Sequence, residues 1–260
     1  MNILSKILDY KKEELAHYKR QQRFEELKAK IRDVRSTYSL AEALRKPPAN
    51  FAIIAEIKKQ SPSKGLICAN FDPVKIAQGY AENGAAALSV LTDEHFFGGH
   101  LDYLRKIRSQ VSLPLLRKDF LWEPYQIYAA REAGADAILL IAAMLEKNQA
   151  ADLQGLAIEL KLSVLFEVHH LQECEMASAI GASIVGINNR DLETFKVDLA
   201  TSEKLVSKLP GPALKVSESG IDSHQVMERL KIQGIHAFLI GESLMKTEKP
   251  GEALKKLMKA

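Results

Sequence analysis

The sequence predicts an α/β fold, a (β/α)8 or TIM barrel with an N-terminal helical extension, on three observations. Four segments, YAENGAAALSV, AAREAGADAILL, MASAIGASIVGI and LKIQGIHAFLI, share one grammar of helical stretch, glycine and short apolar run. Apolar runs that read as strands fall near 51–57, 86–91, 113–117, 136–141, 162–167, 184–188, 213–217 and 236–240, which makes eight. Most are continuous rather than alternating, as for strands covered on both faces, and a repeat of roughly 20 to 35 residues leaves room for one helix between neighbours. A doubly wound open sheet is the alternative, but no GxGxxG follows the first strand.

Along the chain the extension comes first. Ile3, Leu4, Ile7 and Leu8, then Phe24, Leu27 and Ile31, recur at helical spacing; a capping box from Ser39 to Glu42 starts a further helix before Pro47 and Pro48 end the segment. Residues 1–48 are therefore expected as helices packed on a barrel of residues 49–260, with 1–260 forming one domain. Within the barrel, Asp72 with Pro73, Pro124, and Asp222 or Ser223 mark helix starts, where a side-chain oxygen satisfies free N–H groups and proline fits the first turn. Gly84, Gly134, Gly181 and Gly234 mark helix ends, because a residue without Cβ closes a helix in the left-handed conformation cheaply.

Of the 260 residues 47% are hydrophobic and 27% charged, enough for a sizeable core. Thirty-six Lys plus Arg against 33 Asp plus Glu leave +3 with the signs interspersed, which argues against a nucleic-acid partner. The longest apolar run, 137–145, is about half of what a bilayer-crossing helix needs, and the amphipathic start lacks the apolar core of a signal peptide, so no membrane association is expected. Cys68 and Cys174 lie far apart without CxxC or Cys/His spacing. Neither a disulfide framework nor a metal site is expected, and a cytoplasmic setting fits.

In a barrel of parallel strands the usable groups sit at the carboxyl ends of the strands. The first strand ends IAEIKKQSPS, and the period of two sends Glu56 and Lys58 to one face, the mouth. The same rule pairs Asn188 with Arg190 if the strand continues that far. With Lys118, Glu167 and Glu218 at the ends of the third, fifth and seventh strands, three acids and three bases converge on one opening, where cations can pair with an anionic ligand and carboxylates can move protons. One charge at a strand end signals only solvent; six around one mouth signal a site. A lysine working as an acid near neutral pH benefits from a lowered pKa, which burial or a neighbouring cation can give, but that shift is not written in the sequence. Ser219-Gly220 and Gly241-Glu242-Ser243 follow the last two strands, whose loops cradle phosphate in such barrels, with a short helix after Gly241 and a hydroxyl from Ser61 in the first loop. Phe97 and Phe120 offer apolar walls for a flat ring. His95, His100, His169, His170 and Trp122 are read as structural, and Cys68 as an inert thiol.

EIKKQSPSKG, LTDEHFFGG, LLRKDF, ILLIAAML, FEVH, GINNRDL, SESGI and IGESLM occur in this order over essentially the whole chain, which thereby closely resembles indole-3-glycerol phosphate synthase of tryptophan biosynthesis. The resemblance implies conversion of 1-(2-carboxyphenylamino)-1-deoxy-D-ribulose 5-phosphate to indole-3-glycerol phosphate, releasing carbon dioxide and water. It implies that Glu56, Lys58, Lys118, Glu167, Asn188, Glu218 and Ser219 are catalytic. It further implies that Ser61, Gly220, Gly241, Glu242 and Ser243 contact phosphate, and that Phe97 and Phe120 line a hydrophobic pocket. Family members often carry a smaller residue at Glu242, which leaves either its N–H or that of Ser243 as phosphate donor. Arg190 and Lys58 are the expected partners of the substrate carboxylate. Because the ring nitrogen of this substrate supplies the electron push, no metal, pyridoxal or nicotinamide cofactor is expected. The oligomeric state is expected to be monomer or weak homodimer. Phosphoribosylanthranilate isomerase, another phosphate-binding barrel of that pathway, relies on a Cys and Asp pair, whereas the first strand here carries Glu-x-Lys.

Overall fold

The computed structural model describes residues 3–259; residues 1, 2 and 260 of the expected domain lie outside the described residues, as do the side chains of Ile3, Ser5 and Asp33. The extension forms α1 (Ile3–Gln21), α2 (Phe24–Lys30) and α3 (Leu40–Arg45). Barrel strands follow as β1 (Ala52–Ile57), β2 (Ala87–Leu91), β3 (Leu115–Lys118), β4 (Ala137–Ile141), β5 (Ser163–Val168), β6 (Ile184–Asn188), β7 (Leu214–Glu218) and β8 (Ala237–Ile240). They close in the order β1-β8-β7-β6-β5-β4-β3-β2 with every pairing parallel, β1 bonding to both β8 and β2. The closed (β/α)8 barrel is the expected one. β3 starts two residues later than its apolar run because Pro114, whose carbonyl accepts from Leu88 N–H at 2.9 Å, has no N–H to give the ladder.

Helices return the chain between strands: α4 (Pro73–Glu82), α5 (Leu101–Arg108), α6 (Pro124–Glu132), α7 (Lys147–Glu159), α8 (Leu171–Ala179), α9 (Ala200–Leu205) and α10 (His224–Ile232). After β8 come α11 (Glu242–Met245) and α12 (Pro250–Leu257). Their starts follow the expected chemistry. Asp72 Oδ1 accepts from the Val74 and Lys75 amides at 3.1 Å each, and of the two alternatives for α10 it is Ser223 that caps, accepting from Val226 N–H at 3.4 Å. Gly84, Gly134, Gly181 and Gly234 all have positive φ just beyond α4, α6, α8 and α10.

Side chains alternate along each strand, and this alternation builds the site. On β1, Ile53, Ala55 and Ile57 pack outward against helices, while Ala52 and Ile54 point inward to meet Leu116, Leu139, Leu165, Val216 and Leu239. One step further along, the inward positions hold Glu56, Lys118, Glu167, Asn188 and Glu218. At the opposite end Leu40 and Leu44 of α3 are buried in the same inner cluster and plug it.

The extension is fastened along one side of the barrel. Leu15 and Leu27 pack on Tyr125 of α6. Asp136, fully buried where β4 begins, accepts from Arg35 Nη2 at 2.7 Å, Arg108 Nη1 at 2.9 Å and the backbone amides of Tyr38 and Leu115 at 2.8 and 2.9 Å. Two guanidinium groups and two amides satisfy a carboxylate that unpaired burial would heavily destabilise. Among the described residues no helix is long and apolar enough to cross a membrane.

Candidate active site

A cavity of about 510 Å³ opens at the carboxyl ends of the strands. Its lining includes every expected site residue except Ser61: Glu56, Lys58, Lys118, Glu167, Asn188, Glu218 and Ser219, with Phe97, Phe120, Arg190, Gly220, Gly241, Glu242 and Ser243. The loop after β1 folds into a two-stranded hairpin, Gln60–Ser61 against Gly65–Leu66, which buries Ser61 and turns Pro62 and Lys64 to the cavity instead.

Lys118 is the centre of the charged layer. Its ammonium donates to Glu167 Oε2 and Glu218 Oε2, each at 2.8 Å, and Lys58 Nζ donates to Glu56 Oε1 at 2.5 Å on the neighbouring wall. Burial opposes the charge on Lys118, but Glu167, Glu218 and Glu56 outweigh it and hold its pKa above the ordinary lysine value. The shift runs opposite to the lowering that burial alone would give, because the neighbouring carboxylates more than repay the desolvation. For Glu167 burial is likewise overcome, by Lys118 and His169, and its pKa lies below the usual carboxylate range. Glu218 goes the other way: burial dominates, Glu167 and Glu56 add repulsion, and its pKa is pushed up to about 7.

Backbone and hydrogen bonds fix the side of the mouth formed by the ends of β6, β7 and β8. Asn188 Oδ1 accepts from Ser219 Oγ at 2.9 Å and from Arg190 N–H at 3.0 Å. Ser219 sits in the left-handed region at φ 66, rare for a residue with a side chain, followed by Gly220 at φ 79. The expected short helix after Gly241 is α11. The Glu242 carboxylate at its start is engaged by Arg190 Nη2 at 2.9 Å and Lys246 Nζ at 2.7 Å, so this acid is charge-compensated rather than facing the cavity alone. Phe97 and Phe120 form a tilted pair with ring centroids 6.1 Å apart.

Other contributors were not singled out by the sequence reading. His169, read as structural, places Nε2 3.4 Å from Glu167 Oε1 and Nδ1 3.3 Å from Glu173 Oε2. Burial opposes its charge, but the two carboxylates carry its pKa up to about 10. The signal was present: Glu167-x-His169 shares the period of two used for Glu56-x-Lys58. Gly186 and Gly241 act through what they lack, since a Cβ on Gly186 would collide with Glu218 Oε1 and one on Gly241 with Glu56 Oε1. Leu4 and Ile7 of the extension also line the cavity.

The indole-3-glycerol phosphate synthase family matches residues 4–257. The proteins named indole-3-glycerol phosphate synthase from Polaromonas naphthalenivorans (strain CJ2) and Polaromonas sp. strain JS666 are each 45% identical to the chain, over 258 and 262 residues, covering 98% of this chain and 98% of theirs. The solved structure of thiamine phosphate pyrophosphorylase from Pyrococcus furiosus superposes with a TM-score of 0.58 at 16% identity, over 80% of this chain and 93% of that one, a likeness of fold alone. With sequence agreement running through barrel and extension alike, the chain belongs to the indole-3-glycerol phosphate synthase family, carboxy-lyases of tryptophan biosynthesis.

Proposed function

We propose that this mouth closes the ring of 1-(2-carboxyphenylamino)-1-deoxy-D-ribulose 5-phosphate, with Lys118 as the acid. The observation that carries the reading is the buried Lys118 ammonium held at 2.8 Å by two carboxylates on separate strands. As the aromatic carbon bearing the carboxylate attacks the ketose carbonyl, the oxygen gains negative charge and takes the proton from Lys118. A firmly protonated lysine is the form that this step requires. The new carbon–carbon bond costs the ring its aromaticity, and departure of carbon dioxide restores it. Loss of the hydroxyl as water then needs a second acid and a base, for which Lys58 beside Glu56, and Glu167, are the candidates. Glu218, titrating near neutrality, can return the proton to Lys118.

Binding divides between the two sides of the mouth. Ser219, Gly220, Gly241, Glu242 and Ser243 supply amides and hydroxyls for the phosphate, and the Glu242 carboxylate beside it is compensated by Arg190 and Lys246. Phe97 and Phe120 flank the aromatic ring, and Lys58 and Arg190 are the cations for its carboxylate. The ring nitrogen of the substrate drives the electron flow, so the reading needs no metal or organic cofactor. Balanced charge and scattered cysteines support a cytoplasmic protein without a nucleic-acid partner. The test is direct. The purified chain given the anilino-ribulose phosphate should develop indole fluorescence; substrate consumption without it, or none at all, refutes the reading.

A further inference from the structure

We propose that Lys11, on extension helix α1, is a positioning residue that sets the apolar wall of the substrate pocket by tying two barrel loops to α1. The proposal rests on the reading of the mouth given above. Lys11 is 1% exposed, an unusual place for an ammonium, and its partners explain it. Nζ lies 3.0 Å from Asp119 Oδ1 and 3.4 Å from Asp93 Oδ2, and pairs with Glu14 on its own helix. Both aspartates are buried, and each organises the backbone of a loop. Asp93 Oδ1, after β2, accepts the amides of Phe96 and Phe97 at 2.7 and 3.1 Å. Asp119 Oδ1, after β3, accepts the Phe120 amide at 2.8 Å, while its Oδ2 takes Thr92 Oγ1 at 2.6 Å and Arg117 Nη2 at 3.0 Å.

One ammonium thus joins the two loops that carry Phe97 and Phe120. On α1, Leu4, Ile7 and Lys11 follow at steps of three and four, which places them along one helix face. Leu4 and Ile7 line the cavity, so the lysine that binds the loops also anchors the part of α1 that completes the wall. Without its charge, Asp93 and Asp119 would face each other buried and less compensated, and loops and helix would move apart. Lys118 has separate hydrogen-bond partners, Glu167 and Glu218, so the effect belongs to ring binding rather than proton transfer.

The experiment compares Lys11→Met, which removes the charge from a chain of similar bulk, with Lys11→Arg, which keeps it, by thermal melting and steady-state kinetics on the anilino-ribulose phosphate. A folded Lys11→Met should raise KM about tenfold with kcat within about threefold, and Lys11→Arg should return KM to within about threefold of the parent. A folded Lys11→Met with parental KM, or with lowered kcat at unchanged KM, overturns the proposal. Should Lys11→Met fail to fold, Asp93→Asn decides, since it keeps the acceptor for the Phe96 and Phe97 amides and loses the charge facing the lysine. Raised KM at parental kcat then supports the role; parental KM overturns it. If the parent chain itself forms no indole, the reading of the mouth falls and this proposal with it.

Discussion

Glu167 and Glu218 meet Lys118 Nζ at the same distance, yet their surroundings drive their protonation apart. His169 stands beside Glu167 and keeps it ionised; Glu218 Oε1 is buried with no hydrogen bond among the described residues. Different environments give two like groups different protonation. Replacing Lys118 with Ala should lower kcat by about 10² to 10⁴ in protein that still folds, and turnover within threefold would discredit the assignment. The raised pKa of Glu218 also has a signed consequence for stability. A carboxyl that folding pushes from about 4.5 to about 7 contributes stability fully below the lower value and loses it as pH climbs through the higher. Glu218→Gln should therefore raise Tm relative to the parent more at pH 8 than at pH 5; a pH-independent difference counts against the shift. Most of these side chains were legible, because spacing of two at strand ends fixes the face. Lysine titration was not, since it depends on acids brought in from strands about 50 and 100 residues away.

Among elements, the helices declared themselves through their ends, and where two caps were open the geometry chose: Ser223 caps α10 while Asp222 lines the cavity. The hairpin after β1 was not foreseen. QSPSKG carries turn residues, but which of them faces the ligand depends on the pairing of Gln60 with Leu66 and Ser61 with Gly65. Closure of the helical ring depends on a close approach at α4 and α12, where a Cβ on Gly251 would come within 2.5 Å of the Gly79 carbonyl oxygen, itself accepting from Asn83 Nδ2 at 2.8 Å. Gly251→Ala should cost about 1–3 kcal/mol in denaturant unfolding without altering KM, because backbone has to give.

For the molecule as a whole, the extension touches both ends of the barrel: Leu4 and Ile7 at the mouth, Asp136 with Arg35 along the flank, and Leu40 and Leu44 at the base. The sequence showed apolar faces on these helices but not the surfaces they cover, because periodicity specifies a stripe and says nothing of its partner. Leu40, with no exposed surface, should cost about 2–5 kcal/mol when cut to Ala, since no other group can fill its place among the inner strand residues; a loss below 1 kcal/mol would show that the base relaxes freely.

That leucine stopper makes the interior a cul-de-sac. Whatever descends to Lys118 must climb out the way it came, so newcomer, departing gas, expelled water and finished heterocycle share one corridor, and traffic there couples each turnover to clearance of the last.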